Sequence, residues 1–205
     1  HPTGVVSGPT FAGEVARGLP TAVTVAGCSA EAAQLFASYL HCQTFRTYTS
    51  TDVVGVELGG ASKNVLAIAA GVADGLGYGS NTRAALITRG LAEMMRLGAA
   101  VGGSRETFMG LAGMGDLVLT CTDDQSRNRR LGLALGQGKA LDLALADIGQ
   151  AVEGVRSAPE IARLARDNAV EMPITEQVCR LVEGESTPHD AVEALLSREP
   201  KTERE

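Results

Sequence analysis

Residues 59–71 read GGASKNVLAIAAG, from Gly59 to Gly71. A glycine pair leads through Ala61-Ser62-Lys63-Asn64 into an apolar run. Val65, Leu66, Ile68, Ala69 and Val72 recur at helical spacing and predict a helix with a broad apolar face. The glycine pair places Lys63 in the first turn of that helix. A cation is disfavoured there, because the positive end of the helix dipole repels it. A lysine in such a position points either to a bound anion or to an amine tuned for proton transfer. The plainer alternative is a surface lysine whose stem covers apolar neighbours.

Upstream of this stretch the chain alternates strand and helix. Val5-Val6 followed by Ser7-Gly8-Pro9 predicts a short strand and a turn, and Thr10 is a candidate cap for a helix over Phe11 to Arg17. Thr21 to Ala26 predicts a second strand. Ser29 caps a helix over Ala30 to Leu40, with Ala33, Leu35, Phe36 and Tyr39 as packing residues. Phe45 to Tyr48 and Val53 to Glu57 predict two further strands. Residues 1–57 therefore form an α/β piece with too few strands for a complete domain.

Downstream, nearly everything predicts helix, and residues 58–205 form a second unit. One helix runs from Thr82 to about Leu97, with Gly98 as its stop. Ser104 precedes a short helix. GLAGMGD, residues 110–116, leads to Asp116, and Ser126 opens a helix ending near Gly136 or Gly138. Helices over Val155–Asn168 and Ile174–Val182 follow. Thr187-Pro188 with Asp190 forms a capping-box variant for the last helix. Residues 199–205, EPKTERE, form a charged tail expected to fray.

Composition narrows the function. Aromatic residues are 3% of the chain and tryptophan is absent, so the core is built from Ala, Leu, Val and Ile. A net charge of −6 argues against nucleic acid or an acidic membrane surface as the main partner. No apolar run approaches the roughly 18 residues a membrane helix needs, and the start does not resemble a signal peptide. Cys28, Cys42, Cys121 and Cys179 are scattered and do not cluster with His1, His41 or His189. The expectation is reduced thiols in a cytoplasmic protein with no metal site. Cys121 is expected to be a small buried residue rather than a nucleophile.

Four places carry potential chemistry: Gly8 to Ala12, Lys63-Asn64, Asp116, and Ser126-Arg127-Asn128. Each has a plain alternative: a tight turn, a surface lysine, a solvated or capping acid, a solvated basic helix face. Together they suggest a site for a small anion. A lysine can polarise a carbonyl oxygen and protonate it. A serine and an arginine at a helix start can hold phosphate oxygens alongside backbone N–H groups. Asn128 can bond a hydroxyl or a phosphate oxygen. Asp116 can accept from a hydroxyl or hold the lysine, and Gly8, Gly113 and Gly115 let backbone approach a ligand.

The stretches SGPTFAGEVARGLPTA, GVELGGASKNVLAIAAGVADGLGYGSNTRAALITRGL, FMGLAGMGDLVLTCT and SRNRRLG closely resemble bacterial-type NAD(P)-dependent glycerol-3-phosphate dehydrogenase, in order and in spacing. The resemblance implies a mainly α fold. A multi-helical substrate domain of the 6-phosphogluconate dehydrogenase C-terminal type would follow a residual α/β piece of a Rossmann domain. It implies interconversion of dihydroxyacetone phosphate and sn-glycerol 3-phosphate with NAD(P)H, for phospholipid synthesis. Lys63 matches the family's proton acceptor. Gly8, Thr10, Lys63, Asp116, Ser126, Arg127 and Asn128 match substrate-binding positions. Ala12, Arg127, Ala151 and Glu153 match cofactor positions, with Ala151 standing where valine is more usual. Ser62 replaces a more usual leucine.

No G-x-G-x-x-G follows a strand in this chain; GLGYGS from Gly75 lies in the helical region. In the family that fingerprint, and another substrate lysine, lie in an N-terminal domain. The expectation is a chain entered partway, at His1, that does not turn over alone. Two rivals remain. A hydroxy-acid dehydrogenase of the same superfamily would usually carry its asparagine a turn beyond the lysine, whereas Asn64 directly follows Lys63. A non-catalytic helical module for dimerisation or ligand binding is the other. The Ala/Gly/Leu-rich helices are also suited to a homodimer face.

Overall fold

The computed structural model describes residues 1–199 and Thr202; most of the expected charged tail at 199–205 lies outside the described residues. Three strands form one sheet in the order β1 (Gly4–Ser7), β2 (Thr21–Gly27), β3 (Phe45–Ser50). β1 runs antiparallel to β2, with Val5 opposite Ala26. β2 runs parallel to β3, with Val23 opposite Thr47. A short helix α1 (Ala12–Ala16) links β1 to β2. Helix α2 (Ala30–Leu40) makes the crossover that a parallel pair requires. Ser29 caps α2 as expected, its hydroxyl oxygen accepting from Ala32 N–H at 3.2 Å. Val23, Val25 and Ala37 are buried between sheet and helix. Leu35 and Tyr39, expected to pack, are exposed, and neither belongs to that cluster.

The remainder is helical: α3 (Val53–Gly75), α4 (Ser80–Ala100), α5 (Arg105–Met109), a π-helical turn over Leu111–Gly115, α6 (Asp116–Thr122), α7 (Arg127–Gly136), α8 (Leu141–Ile148), α9 (Glu153–Asp167), α10 (Pro173–Val182) and α11 (Pro188–Leu196). Helix α3 is the axis. Val56 at its start packs with Ala26 of the sheet and Ala112. Farther along, Val65, Leu66 and Ile68 join Leu91, Met94, Phe108, Leu117, Leu131, Ile161 and Val178 in the main core.

Residues 53–57 are therefore the first turns of α3, not a strand. Their β-branched residues favour a strand locally, but Asp52 sets the helix. Its Oδ1 accepts from Gly55 N–H at 2.8 Å, while its Oδ2 accepts from Ser104 N–H (2.8 Å) and Thr107 Oγ1 (2.6 Å). The boundary between residues 57 and 58 falls inside this continuous helix. Lys63 accordingly sits mid-helix, beyond the first turn where the dipole acts, which removes the electrostatic reason given for its role. By length and composition α3 is apolar enough to cross a membrane, contrary to expectation, yet more than half of its apolar window is buried within the fold.

Other boundaries moved for packing reasons. α4 begins at Ser80 with Gly79 in the cap position and passes through Gly98, where a Cβ would overlap the Phe108 ring. Thr10 does not cap α1; Phe11 takes that position and Thr10 Oγ1 donates back to Gly8 O at 3.1 Å. Ser126 and Thr187 cap α7 and α11 as expected, the latter with a complete capping box. α3 and α7 meet backbone to backbone. Side chains at Gly71, Gly75, Gly132 or Gly136 would overlap the opposite helix's backbone.

Candidate functional site

The centre of the site is an ion pair. Lys63 on α3 donates from Nζ to Oδ2 of Asp116, at the start of α6. Asp116 is buried, whereas the Lys63 side chain keeps about a fifth of its surface exposed. Thr120, one helical turn beyond Asp116, donates to its backbone carbonyl at 2.5 Å and shares that proton with its Oδ1 at 3.3 Å. Burial pushes the Asp116 carboxyl above the usual carboxylate range. The Lys63 charge and hydrogen bond, Thr120 and the Gly8 backbone N–H oppose that shift. Gly8 reaches the site because φ is +153° and its backbone lies against β2, where a Cβ would be 3.1 Å from Ala22 O. Close approach recurs along α3: a Cβ on Gly60 would be 3.1 Å from Ser7 Oγ, and one on Gly59 would be 2.6 Å from Ala112 O.

The start of α7 joins this centre through two amides. Asn128 Nδ2 donates to Asn64 Oδ1 at 2.9 Å, and Asn64 is the neighbour of Lys63. Asn128 Oδ1 accepts from Gly154 N–H of α9 at 2.8 Å. A side chain at position 154 would lie 2.8 Å from that oxygen, so glycine is required for the approach. Arg127 Nη2 pairs with Glu153 Oε1 at 2.7 Å, with both side chains partly exposed. Ser126 Oγ accepts from Arg129 N–H at 3.2 Å and retains its own proton for donation.

Of the expected site residues, Gly8, Lys63 and Asp116 meet directly. Ser126, Arg127, Asn128 and Glu153 gather at the α7–α9 junction beside Asn64. Thr10 joins the first group through its Oγ1, which donates to Gly8 O at 3.1 Å, whereas no hydrogen bond or ion pair among the described residues joins Ala12 or Ala151 to either group. Ala12 opens α1, near the loop before Ser126, through a Gln125 Nε2 to Glu14 Oε1 bond of 3.4 Å. Ala151 is exposed two residues before Glu153. Thr120 was missed from the sequence, although its i+4 spacing from Asp116 is a usable signal. Cys121 is buried, and burial pushes its thiol up to about 12, so it is no nucleophile at neutral pH.

Arg127 and Glu153, two of the positions expected at a cofactor, pair with each other at 2.7 Å. Both side chains remain partly open to solvent. The GLGYGS segment sits at the end of α3 and the turn before α4, with no preceding strand, and does not form a dinucleotide loop.

Residues 52–193 match the family model described as NAD-dependent glycerol-3-phosphate dehydrogenase C-terminus. The chain belongs to the glycerol-3-phosphate dehydrogenase family. It is 64% identical over 202 residues to glycerol-3-phosphate dehydrogenase [NAD(P)+] of Nitrosococcus oceani, covering 98% of this chain and 59% of that protein. The corresponding protein of Thioalkalivibrio sulfidiphilus is 61% identical, with 98% of this chain and 61% of that protein covered. The crystal structure of glycerol-3-phosphate dehydrogenase from Coxiella burnetii superposes with a TM-score of 0.93 at 53% identity, covering 96% of this chain and 61% of that one. The chain thus spans about three fifths of the length of the family members it matches. The mainly helical fold with a small sheet is that of the matched part of the Coxiella burnetii enzyme.

Proposed function

We propose that this chain forms the substrate-binding and proton-transfer part of a dehydrogenase that interconverts dihydroxyacetone phosphate and sn-glycerol 3-phosphate. The observation that carries the reading is the pairing of a partly exposed Lys63 with a buried Asp116, tied through Asn64 to the Ser126–Asn128 helix start. Lys63 Nζ donates a proton to the substrate's carbonyl oxygen as it gains charge, and takes the hydroxyl proton in the reverse direction. Asp116, held by Thr120 and the Gly8 N–H, keeps the ammonium aimed and balances its charge. The α7 start, with Ser126 and Arg127, binds the phosphate end. Asn128 orients the substrate through its remaining N–H. NAD(P)H supplies the hydride when bound. Ala12, Ala151, Arg127 and Glu153 form this chain's wall toward that cofactor, and Thr10 lines the substrate side of the Gly8 turn.

The bulk of the cofactor site belongs to the part of the relatives that lies beyond this chain, so we propose that residues 1–205 do not turn over alone. The four free cysteines are compatible with a cytoplasmic setting. The reading is tested by measuring NAD(P)H oxidation by the full-length protein with dihydroxyacetone phosphate, phosphate-free dihydroxyacetone and short 2-keto acids. Strong preference for the phosphate is expected. Preference for a keto acid would replace this reading with the hydroxy-acid dehydrogenase.

A further inference from the structure

We propose that Arg129 is a positioning residue that fixes the start of α7, and with it Ser126 and Arg127, for the phosphate end of the substrate. The inference rests on the phosphate reading of that helix start. Arg129 is buried, 8% exposed, and its guanidinium reaches three segments at once. Nε donates to the carbonyl of Cys121 near the end of α6 at 3.1 Å. Nη2 pairs with Asp74 Oδ2 near the end of α3 at 2.6 Å, and Nη1 pairs with Asp124 in the loop between α6 and α7. Its backbone N–H completes the Ser126 cap. Asp74 also pairs with Arg83 of α4 at 2.8 Å, so two arginines and two aspartates balance.

The placement matters more than the number of bonds. The site is split between α6, which carries Asp116 and Thr120, and the start of α7, which carries Arg127 and Asn128. The loop joining them, residues 123–126, is short and polar. Arg129 ties the far end of α6, the middle of the loop and the core helix α3 to a point one turn into α7. Two residues along a helix, Arg127 and Arg129 point to different faces. One is directed to Glu153 and the other into the network, so Arg129 acts through the segment it holds. Its planar fork suits three separated acceptors; an ammonium at the same place cannot meet that geometry.

The test is Arg129→Lys in the full-length protein, which keeps the charge and removes the fork. The expected result is a KM for dihydroxyacetone phosphate raised about tenfold with kcat little altered. Activity on dihydroxyacetone phosphate relative to phosphate-free dihydroxyacetone should fall by the same factor. The affinity for inorganic phosphate, measured by calorimetry, should weaken in parallel. Asp74→Asn, which leaves the other two ties, should shift the same quantities in the same direction by a smaller factor, and serves if Arg129→Lys does not fold. A lowered melting temperature with unchanged KM, substrate preference and phosphate affinity would overturn the proposal, as would equal losses with and without the phosphate group. Failure of the wild-type protein to use dihydroxyacetone phosphate would instead overturn the dehydrogenase reading. The phosphate affinities of wild type and variant would still decide the role of Arg129, and equal affinities would refute it.

Discussion

Lys63→Met leaves the buried Asp116 carboxylate without its ammonium partner. Asp116 is 2% exposed, and burial already raises its pKa while Lys63 opposes the rise. Removing one partner of a buried ion pair costs about 3–5 kcal/mol. The Lys63 side chain is 21% exposed, so water screens part of the pair, and we expect a loss of about 2–3 kcal/mol at neutral pH. The sign of the pH dependence follows. In Lys63→Met the folded-state pKa of Asp116 lies above its unfolded value. The variant is therefore most stable in acid, below the unfolded pKa, and loses stability as pH rises through the folded one. Adding Asp116→Asn removes the orphaned charge and should return stability to within about 1 kcal/mol of wild type. Urea unfolding of the four proteins of the cycle at pH 5 and pH 8 reads these values. Activity should not return with stability, because the proton donor is gone. A Lys63→Met protein as stable as wild type at both pH values, or a double variant no more stable than the single, would refute the description of the pair.

Four further outcomes follow from the packing and the buried hydrogen bonds. Gly132→Ala sets a Cβ over Ile68 O and 2.9 Å from Val72 N, and overpacking there should outweigh the helix-propensity gain and lower stability by about 2 kcal/mol. Gly13→Ala, whose Cβ would meet nothing nearer than 3.9 Å, should instead gain about 0.5–1 kcal/mol; calorimetric melts compare the two. Glu93 is buried on α4 and accepts from Ile174 N–H (2.7 Å), Thr175 N–H (3.1 Å) and Thr175 Oγ1 (2.9 Å); burial raises its pKa from 4.5 to about 7. Its contribution to stability is full below pH 4.5 and falls as pH climbs toward 7, so Glu93→Gln should flatten the pH profile of denaturant unfolding by up to about 3 kcal/mol across that window. Asp52→Ala removes the α3 cap and its bonds to Ser104 and Thr107, and should cost about 2 kcal/mol in the same unfolding assay.

What could be read from the sequence was local. Ser29, Ser126 and Thr187 announce helix starts because a capping side chain serves backbone within three residues. The pairing of Lys63 with Asp116 was within reach because both side chains are unusual in otherwise apolar stretches, even though the dipole argument for the lysine was misplaced. Val53 to Glu57 misled because local β-branching suggests a strand, whereas the helix is secured by Asp52 bonding to residues about fifty positions away. Gly98 read as a stop, yet α4 runs through it because its missing side chain admits the Phe108 ring. The Arg129–Asp74 pair, fifty-five residues apart, leaves no periodic trace and needed the packed helices to appear.

The most direct measurement is NAD(P)H oxidation at saturating dihydroxyacetone phosphate by the full-length protein and by its Lys63→Ala variant, with circular dichroism to establish that the variant is folded. The account predicts robust turnover in the first and a fall in kcat of about a hundredfold or more in the second. A folded Lys63→Ala protein with wild-type kcat would contradict the assignment of proton transfer to Lys63.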